Sequence, residues 1–174
     1  MTRQIQRQVD AAVAALEEIL RTQNEGYERL LVSLERKREA IKLAQLDRVP
    51  EIAEVECRIL ERLQELDGVR EERVATVAEA LGLPLETISV SKICEAIEPD
   101  AAARISGRAA VLREQLEESR KKSSVIRVAG DALARHMAGV VQSVTGALSG
   151  ARIYGSRGTL SNGVAIVRGL DVSS

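Results

Sequence analysis

The sequence predicts an all-α protein: an elongated antiparallel three-helix bundle, or coiled coil, with a short connector helix and a flexible C-terminal tail. Apolar residues recur at a 4-3 spacing over three long stretches of the 174-residue chain, which is the heptad pattern of packed helices. The three prolines lie where one stretch gives way to the next. Aromatic residues make up only 1 % of the chain, so the core must be built from aliphatic side chains.

Helix one is predicted over residues 4–46. Its apolar seam runs from Val9 through Leu16 and Leu30 to Ile41 at heptad spacing. A helix of this length would measure about 60 Å at a rise of roughly 1.5 Å per residue, which suits a rod better than a compact globule. Gly26 interrupts the helix-forming residues without breaking the periodicity. We interpret it as a tolerated flaw that costs about 1 kcal/mol relative to alanine.

Helix two is predicted over residues 50–81. Pro50 fits the first turn of a helix but not its interior, and it follows a short polar link. A link that short makes the two helices antiparallel neighbours. Gly82 and Pro84 end the second helix. The charged residues that interleave along it are interpreted as a solvated face with i,i+4 pairs.

A connector follows helix two, and it is apolar enough to pack against the end of the rod. We expect a short helix over residues 92–97 capped by Ser91, and Asp100 as the N-cap of helix three. The order of predicted elements over residues 80–93, a helix, a turn at Gly82 and a second short helix, also resembles a helix-turn-helix. Lys92 is nearly alone among glutamates there, so DNA binding is a minor alternative.

Helix three is predicted over residues 101–148, and its two halves differ. Its first half carries seven basic and three acidic residues, whereas residues 1–80 carry thirteen basic and seventeen acidic ones. Opposite charges on neighbouring helices help to fix their pairing. Residues 136–149 carry no charge if His136 is neutral, and they suit a packed core segment or an open docking groove. Weak seam positions at Ser119, Ser123 and Gly130 predict a kink or loosened packing between the halves.

The predicted domain organisation is a helical bundle over residues 1–149 followed by a flexible, glycine-rich tail over residues 150–174. Asn162-Gly163 could turn a weak hairpin within that tail. An isolated hairpin is marginal in water, so disorder until a partner arrives is the preferred interpretation.

Composition argues against catalysis and against several kinds of ligand. His136 is the single histidine, and no carboxylate is placed to orient its ring locally. Cys57 and Cys94 fit no metal motif, so we expect neither metal nor cofactor, and no enzyme. Residues 155–159 lack the Gly-Lys-Ser/Thr ending of a phosphate loop. A net charge of -1 and the scarcity of aromatic residues, two tyrosines in all, disfavour nucleic-acid binding. The absence of a long apolar run predicts no membrane insertion, and the polar N-terminus and two cysteines suggest the cytoplasm.

The order of elements resembles that of the FlgN-like flagellar export chaperone family. Two long N-terminal helices precede a short apolar connector and a third long helix. The motif Ile153-Tyr154-Gly155-Ser156-Arg157-Gly158 then follows that helix. The resemblance covers residues 9–158, and this motif is its most specific part.

The resemblance implies a cytoplasmic chaperone of type III flagellar export. Such proteins bind hook-filament junction (hook-associated) proteins through the clients' C-terminal helices, prevent premature self-association, and deliver the clients to the export gate. It assigns partner binding to the end of helix three and to the tail: Leu133, Met137, Val140, Val144, Leu148, Ile153, Tyr154, Gly155 and Gly158. The alternative is a structural coiled-coil scaffold or a homodimerisation protein without export clients.

Overall fold

A computed structural model describes the backbone of residues 3–153 and the side chains of residues 3–147. The described chain is all-α, as predicted, with four helices: α1 (Arg3–Lys42), α2 (Val49–Leu81), α3 (Val90–Ala96) and α4 (Pro99–Ile153). Short 3-10 turns at Leu46–Arg48 and Leu85–Thr87 lie on either side of α2. The chain divides into two compact units, residues 1–130 and residues 131–174.

In the first unit, α1 and α2 form an antiparallel hairpin, and α4 runs parallel to α1. The direction of α4 follows from its ion pairs, since Arg104 pairs with Glu17 and Lys122 pairs with Glu35 further along α1. The three long helices therefore pack as the antiparallel bundle that the heptads predicted.

Two aliphatic clusters make up the core of this unit. The first cluster brings α1, α2 and α4 together with the connector helix, around Leu16, Val77, Ile93 and Ile105, each at most 1 % exposed. The second cluster lies nearer the turn of the hairpin and contains Leu30, Leu34, Leu63 and Ile126. Ile93 anchors α3 in the first cluster, so the connector closes the open end of the hairpin, as its apolar composition predicted.

Polar side chains lie at buried positions between the two clusters. Gln23 is fully buried, and its Nε2 donates to Asp67 Oδ1 on α2 at 2.8 Å. Asn24 Nδ2 donates to the backbone oxygen of Arg108 on α4 at 3.2 Å. Buried amides in a helical seam cost stability but select one register, because only one alignment supplies their partners.

Gly26 has a packing role that its interpretation as a flaw did not anticipate. A Cβ atom added at this position would lie 2.8 Å from Cδ2 of Leu63. Leu63 is only 3 % exposed, so the glycine makes room for a core leucine where α1 and α2 approach closely.

Several predicted boundaries are wrong by a few residues. Helix α1 ends at Lys42 rather than 46, because Ala44 adopts a left-handed conformation with φ of 54°. Ser89, and not Ser91, caps α3 by accepting a hydrogen bond from the Lys92 backbone. Asp100 lies in the first turn of α4 rather than at its N-cap, since the helix already begins at Pro99.

The described part of the second unit is helical. It comprises residues 131–153, the C-terminal segment of α4. The helix therefore continues five residues beyond its predicted end at 148, into the first part of the predicted tail. The rest of that tail, including the alternative hairpin around Asn162-Gly163, lies outside the described residues.

Candidate partner-binding surface

The apolar seam of α4 is buried in the first unit. Ile105 and Ile126 are 0 % and 6 % exposed, and Ser119 between them is 7 % exposed. These three residues occupy equivalent heptad positions, so one face of α4 points steadily into the hairpin. The seam residues of α4 therefore pack against the hairpin as far as Ile126.

Charged side chains tie the basic half of α4 to α1, as the charge distribution predicted. Glu17 accepts hydrogen bonds from Nε of Arg104 at 3.0 Å and from Nε of Arg108 at 3.4 Å. The hydrogen bond from Arg104, more than any other contact, lowers the pKa of the Glu17 carboxyl. Lys122 Nζ pairs with Glu118 and also donates to Glu35 at 3.3 Å. The hydrogen bond to Glu118 and then that to Glu35 raise the pKa of Lys122.

The same ion pairs define the register of α4 on the hairpin. Arg104 and Glu17 are 87 residues apart, and Lys122 and Glu35 are also 87 apart. That offset places Lys42, the last residue of α1, level with residue 129 of α4. The hairpin thus reaches its end at the boundary between the two units.

The seam of α4 carries serines between its two halves. A cavity of about 420 Å³ opens beside Ser119 and Ser123, and Leu30, Leu34 and Leu116 also line it. An added Cβ at Gly130 would meet nothing within 4 Å. The cavity lies where loosened packing between the halves of helix three was predicted, and that loosening stays a prediction. The helix is assigned without interruption through these positions, and a kink remains a prediction.

In the second unit the seam positions are exposed. Met137 is 46 % exposed, Val140 45 % and Val144 53 %, whereas Leu133 is half-buried. Val141, which the sequence did not single out, is 62 % exposed and lies beside them. The described part of this unit therefore presents a stripe of large apolar side chains to solvent, interleaved with small residues.

The remaining predicted site residues belong to the end of α4 and to the tail. Leu148 and Ile153 are helical positions in α4, and Ile153 is its last residue. Tyr154, Gly155 and Gly158 lie outside the described residues. Partner binding by these five residues, and by the four exposed or half-buried seam residues before them, stays a prediction.

Other chemistry-bearing residues are dispersed over the molecule. His136 is exposed, and so is Cys57. Cys94 is half-buried in the connector, where its Sγ donates to the Ala102 carbonyl oxygen at 3.5 Å and burial raises its pKa. Within residues 3–147, no group of three or more His, Cys, Asp or Glu side chains could hold a metal ion.

The connector helix α3 exposes few side chains that could contact a nucleic acid. Ile93 points into the core and Cys94 is half-buried, which commits the inner face of α3 to packing. Lys92 is exposed, and glutamates at 86, 95 and 98 surround it in sequence. These features give the DNA-binding alternative no added support.

The described helices carry no segment that is long and apolar enough to cross a membrane.

One comparison with known protein families gives a match over most of the chain. The family model described as "FlgN protein" matches residues 11–162. This match includes α2, α3, α4 and all of α1 except its first turns. It also includes the start of the predicted tail. No curated protein matches the chain, and no solved structure matches it.

Proposed function

This chain belongs to the FlgN protein family, a family of flagellar export chaperones, and from that premise we propose a specific role for it. It is a cytoplasmic chaperone of type III flagellar export that binds hook-filament junction proteins, prevents their premature self-association and delivers them to the export gate. The client's C-terminal helix packs on the exposed apolar stripe of the second unit.

One observation carries this proposal: the heptad seam of α4 continues where its side chains are exposed. Ile126 occupies a buried seam position, and Leu133 and Val140 follow it at intervals of seven residues. A monomeric protein rarely leaves a contiguous row of large apolar side chains in solvent unless the row is an interaction surface. A helix laid along this stripe would bury it.

The composition of the stripe suits an amphipathic client helix. Residues 136–149 carry no Asp, Glu, Lys or Arg, so recognition there depends on apolar contact rather than on ion pairs. Small residues between the large ones, such as Ala138 and Gly139, let a second helix approach closely. Fully burying a Met or Val side chain contributes about 1.5–3 kcal/mol, and a few such residues would support a specific complex.

Tyr154, Gly155 and Gly158 extend the proposed site beyond the helix. By their position directly after α4, they are suited to contact the same client or the export gate. We assign them this role as part of the proposal.

The direct test uses lysine substitutions within the stripe. The double variant Met137→Lys/Val144→Lys should weaken binding of the C-terminal helical peptide of a hook-filament junction protein by at least about 30-fold. The reason is that each buried ammonium would lack a partner. Isothermal titration calorimetry with the full chain measures the loss.

A matched control uses valines of similar exposure in the first unit. Val32 and Val111 are 54 % and 43 % exposed, so the variant Val32→Lys/Val111→Lys changes charge and apolar surface to a comparable extent. It should bind the peptide like the original chain. Equal affinity for all three proteins, with circular dichroism confirming that each is folded, would refute the assignment of the stripe.

The alternative use of the stripe is self-association into a scaffold or homodimer. It predicts a concentration-dependent mass near twice 18.9 kDa that the Met137→Lys/Val144→Lys variant abolishes. Light scattering over a range of concentrations separates this outcome from client binding.

A further inference from the structure

A second surface, on the α1–α2 hairpin, is independent of the proposed client stripe. Two cavities of about 480 Å³ and 710 Å³ open on the hairpin, and residues of α1 and α2 alone line them. The residues that α1 uses to contact α4, such as Glu17, Asn24 and Glu35, line neither cavity. The cavities therefore lie on a flank of the hairpin away from the side chains of α1 that contact α4.

The two cavities share one face. On α1, Ile5 and Ala12 line one cavity and Gly26 lines the other, at separations that are multiples of seven. On α2, Thr76 and Val55 are likewise separated by a multiple of seven. Residues at such spacing lie on the same side of a helix. The span from Ile5 to Gly26 measures about 32 Å at 1.5 Å per residue, the length of a helix of about 21 residues.

The floor of this groove is apolar and built partly from small residues. Ile5 and Val55 are each 40 % exposed, and Ile59 is half-buried. Ala12, Ala15 and Gly26 leave the groove deep, because they carry little or no side chain. A helix could therefore approach the hairpin closely and complete a fourth position in the bundle.

The rim of the groove near Gly26 is basic. Arg29, Arg58 and Arg62 are all exposed there. Within the described residues, Arg58 donates only to a backbone oxygen of its own helix at 3.4 Å. Arg62 pairs with Glu65 in an ion pair that is about two-thirds exposed on both sides. Such an exposed pair is worth little and can be exchanged.

Apart from the exposed pair of Arg62 with Glu65, no carboxylate among the described residues forms an ion pair with these arginines. Among the described residues, Glu25 is the single acidic one that lines this cavity, and it already pairs with Arg21 of its own helix. Arg29 makes no ion pair within the described part of the chain. The rim therefore offers guanidinium groups to an incoming anion.

We propose that this groove binds an acidic amphipathic helix of a partner protein, at a site separate from the client stripe. Apolar residues of the partner, at i, i+3, i+4 and i+7, would fill the floor beside Val55 and Ile59. Glutamates or aspartates flanking them would pair with Arg29, Arg58 and Arg62. The chaperone would then hold two helical partners at once.

The test uses a synthetic probe and the full chain. The probe is a fluorescein-labelled 21-residue peptide of three heptads, with leucine and alanine on one face and glutamate at the flanking positions. A matched peptide carries lysine in place of each glutamate. Fluorescence anisotropy should show binding of the glutamate peptide and at least tenfold weaker binding of the lysine peptide. Affinity for the glutamate peptide should fall when salt rises from about 0.05 M to about 0.5 M.

Variants then locate the binding site. Arg29→Glu/Arg58→Glu should weaken binding of the glutamate peptide at least tenfold, because it replaces attraction by repulsion. Arg113→Glu/Lys121→Glu reverses two exposed charges on α4 and should leave affinity unchanged. Met137→Lys/Val144→Lys should also leave it unchanged, which separates this proposal from the client stripe. Circular dichroism and melting temperature establish that each variant is folded.

Three results would overturn the proposal. Equal binding of the two peptides would mean that charge does not select the partner. Equal loss in the α4 charge variant would place binding on α4. Self-association of the chain that Arg29→Glu/Arg58→Glu abolishes would make a second copy the occupant of the groove.

Discussion

Ala44 and Gly82 occupy the same position at the ends of two different helices. At each end, one backbone N–H donates a hydrogen bond to the carbonyl oxygen five residues earlier. Gln45 donates to Ala40 and Leu83 donates to Ala78, both at 2.8 Å. The residue before each donor has a positive φ, 54° at Ala44 and 68° at Gly82. This is the Schellman motif, in which glycine is favoured because a Cβ atom crowds the left-handed conformation.

The two caps predict changes of opposite sign in the free energy of unfolding when their residues are exchanged. Ala44→Gly should raise the free energy of unfolding by about 1 kcal/mol, since it relieves the cost of a left-handed alanine. Gly82→Ala should lower it by about as much, because no neighbour within 4 Å of the new Cβ adds strain beyond that of the backbone. Urea denaturation followed by circular dichroism measures both. The same sign for both variants would contradict this account.

Between elements, Glu17 joins α1 to α4 through two arginines. Its side chain is 18 % exposed, and it accepts from Arg104 and Arg108 at once. The folded state holds its pKa below the usual value for glutamate. The ionised carboxylate is therefore bound more favourably in the folded chain, and its contribution to stability is present above the unfolded pKa of about 4.3. That contribution is lost as pH falls through the folded pKa.

Glu17→Gln should therefore destabilise the protein near neutral pH and have no effect in acid. We expect a loss of about 1 kcal/mol at pH 7, since exposed arginines and solvent screen the contact. The difference between the two proteins should shrink as the pH falls below about 4.3 and vanish once the pH lies below the lowered, folded-state pKa of Glu17. Thermal unfolding across this range measures it. The control is Glu61→Gln, an exposed carboxylate with no ion pair in the described residues, and a loss as large in that variant would argue against a specific role for Glu17.

Also at the scale of elements, periodicity predicted which helices exist but not where each one ends. Heptads extend over dozens of residues, so a local error in them matters little. A helix end depends on one or two residues, and at Lys42 no glycine or proline marks it. Both Ser89 and Ser91 could have capped α3, and local sequence does not distinguish between them; the structure uses Ser89. The role of Gly26 was also hidden, because it depends on a leucine 37 positions away.

For the molecule as a whole, the seam side chains of α4 change from buried to exposed after Ile126. This change comes close to the point where the register with α1 ends. Within the first unit, the register set by Glu17 and Glu35 places the end of α1 level with residue 129 of α4. The sequence predicted the position of this change, since charge ends and small residues begin shortly after Gly130. It predicted three of the exposed apolar residues, Met137, Val140 and Val144. It missed Val141, because a heptad pattern marks the centre of a stripe rather than its edges.

This arrangement predicts a large difference in local stability along one helix. Backbone hydrogen bonds open most readily where few buried side chains hold them. Residues 137–147 are all exposed, whereas Ile105, Ser119 and Ile126 are buried. In hydrogen-exchange mass spectrometry of the free chain, amides of residues 137–147 should therefore exchange at least about 100-fold faster than those of residues 112–126. Adding a client peptide should slow exchange in the first segment and leave the second unchanged. Equal protection of both segments in the free chain would show that the second unit is already packed, and the stripe would then be unsuited to receive a client.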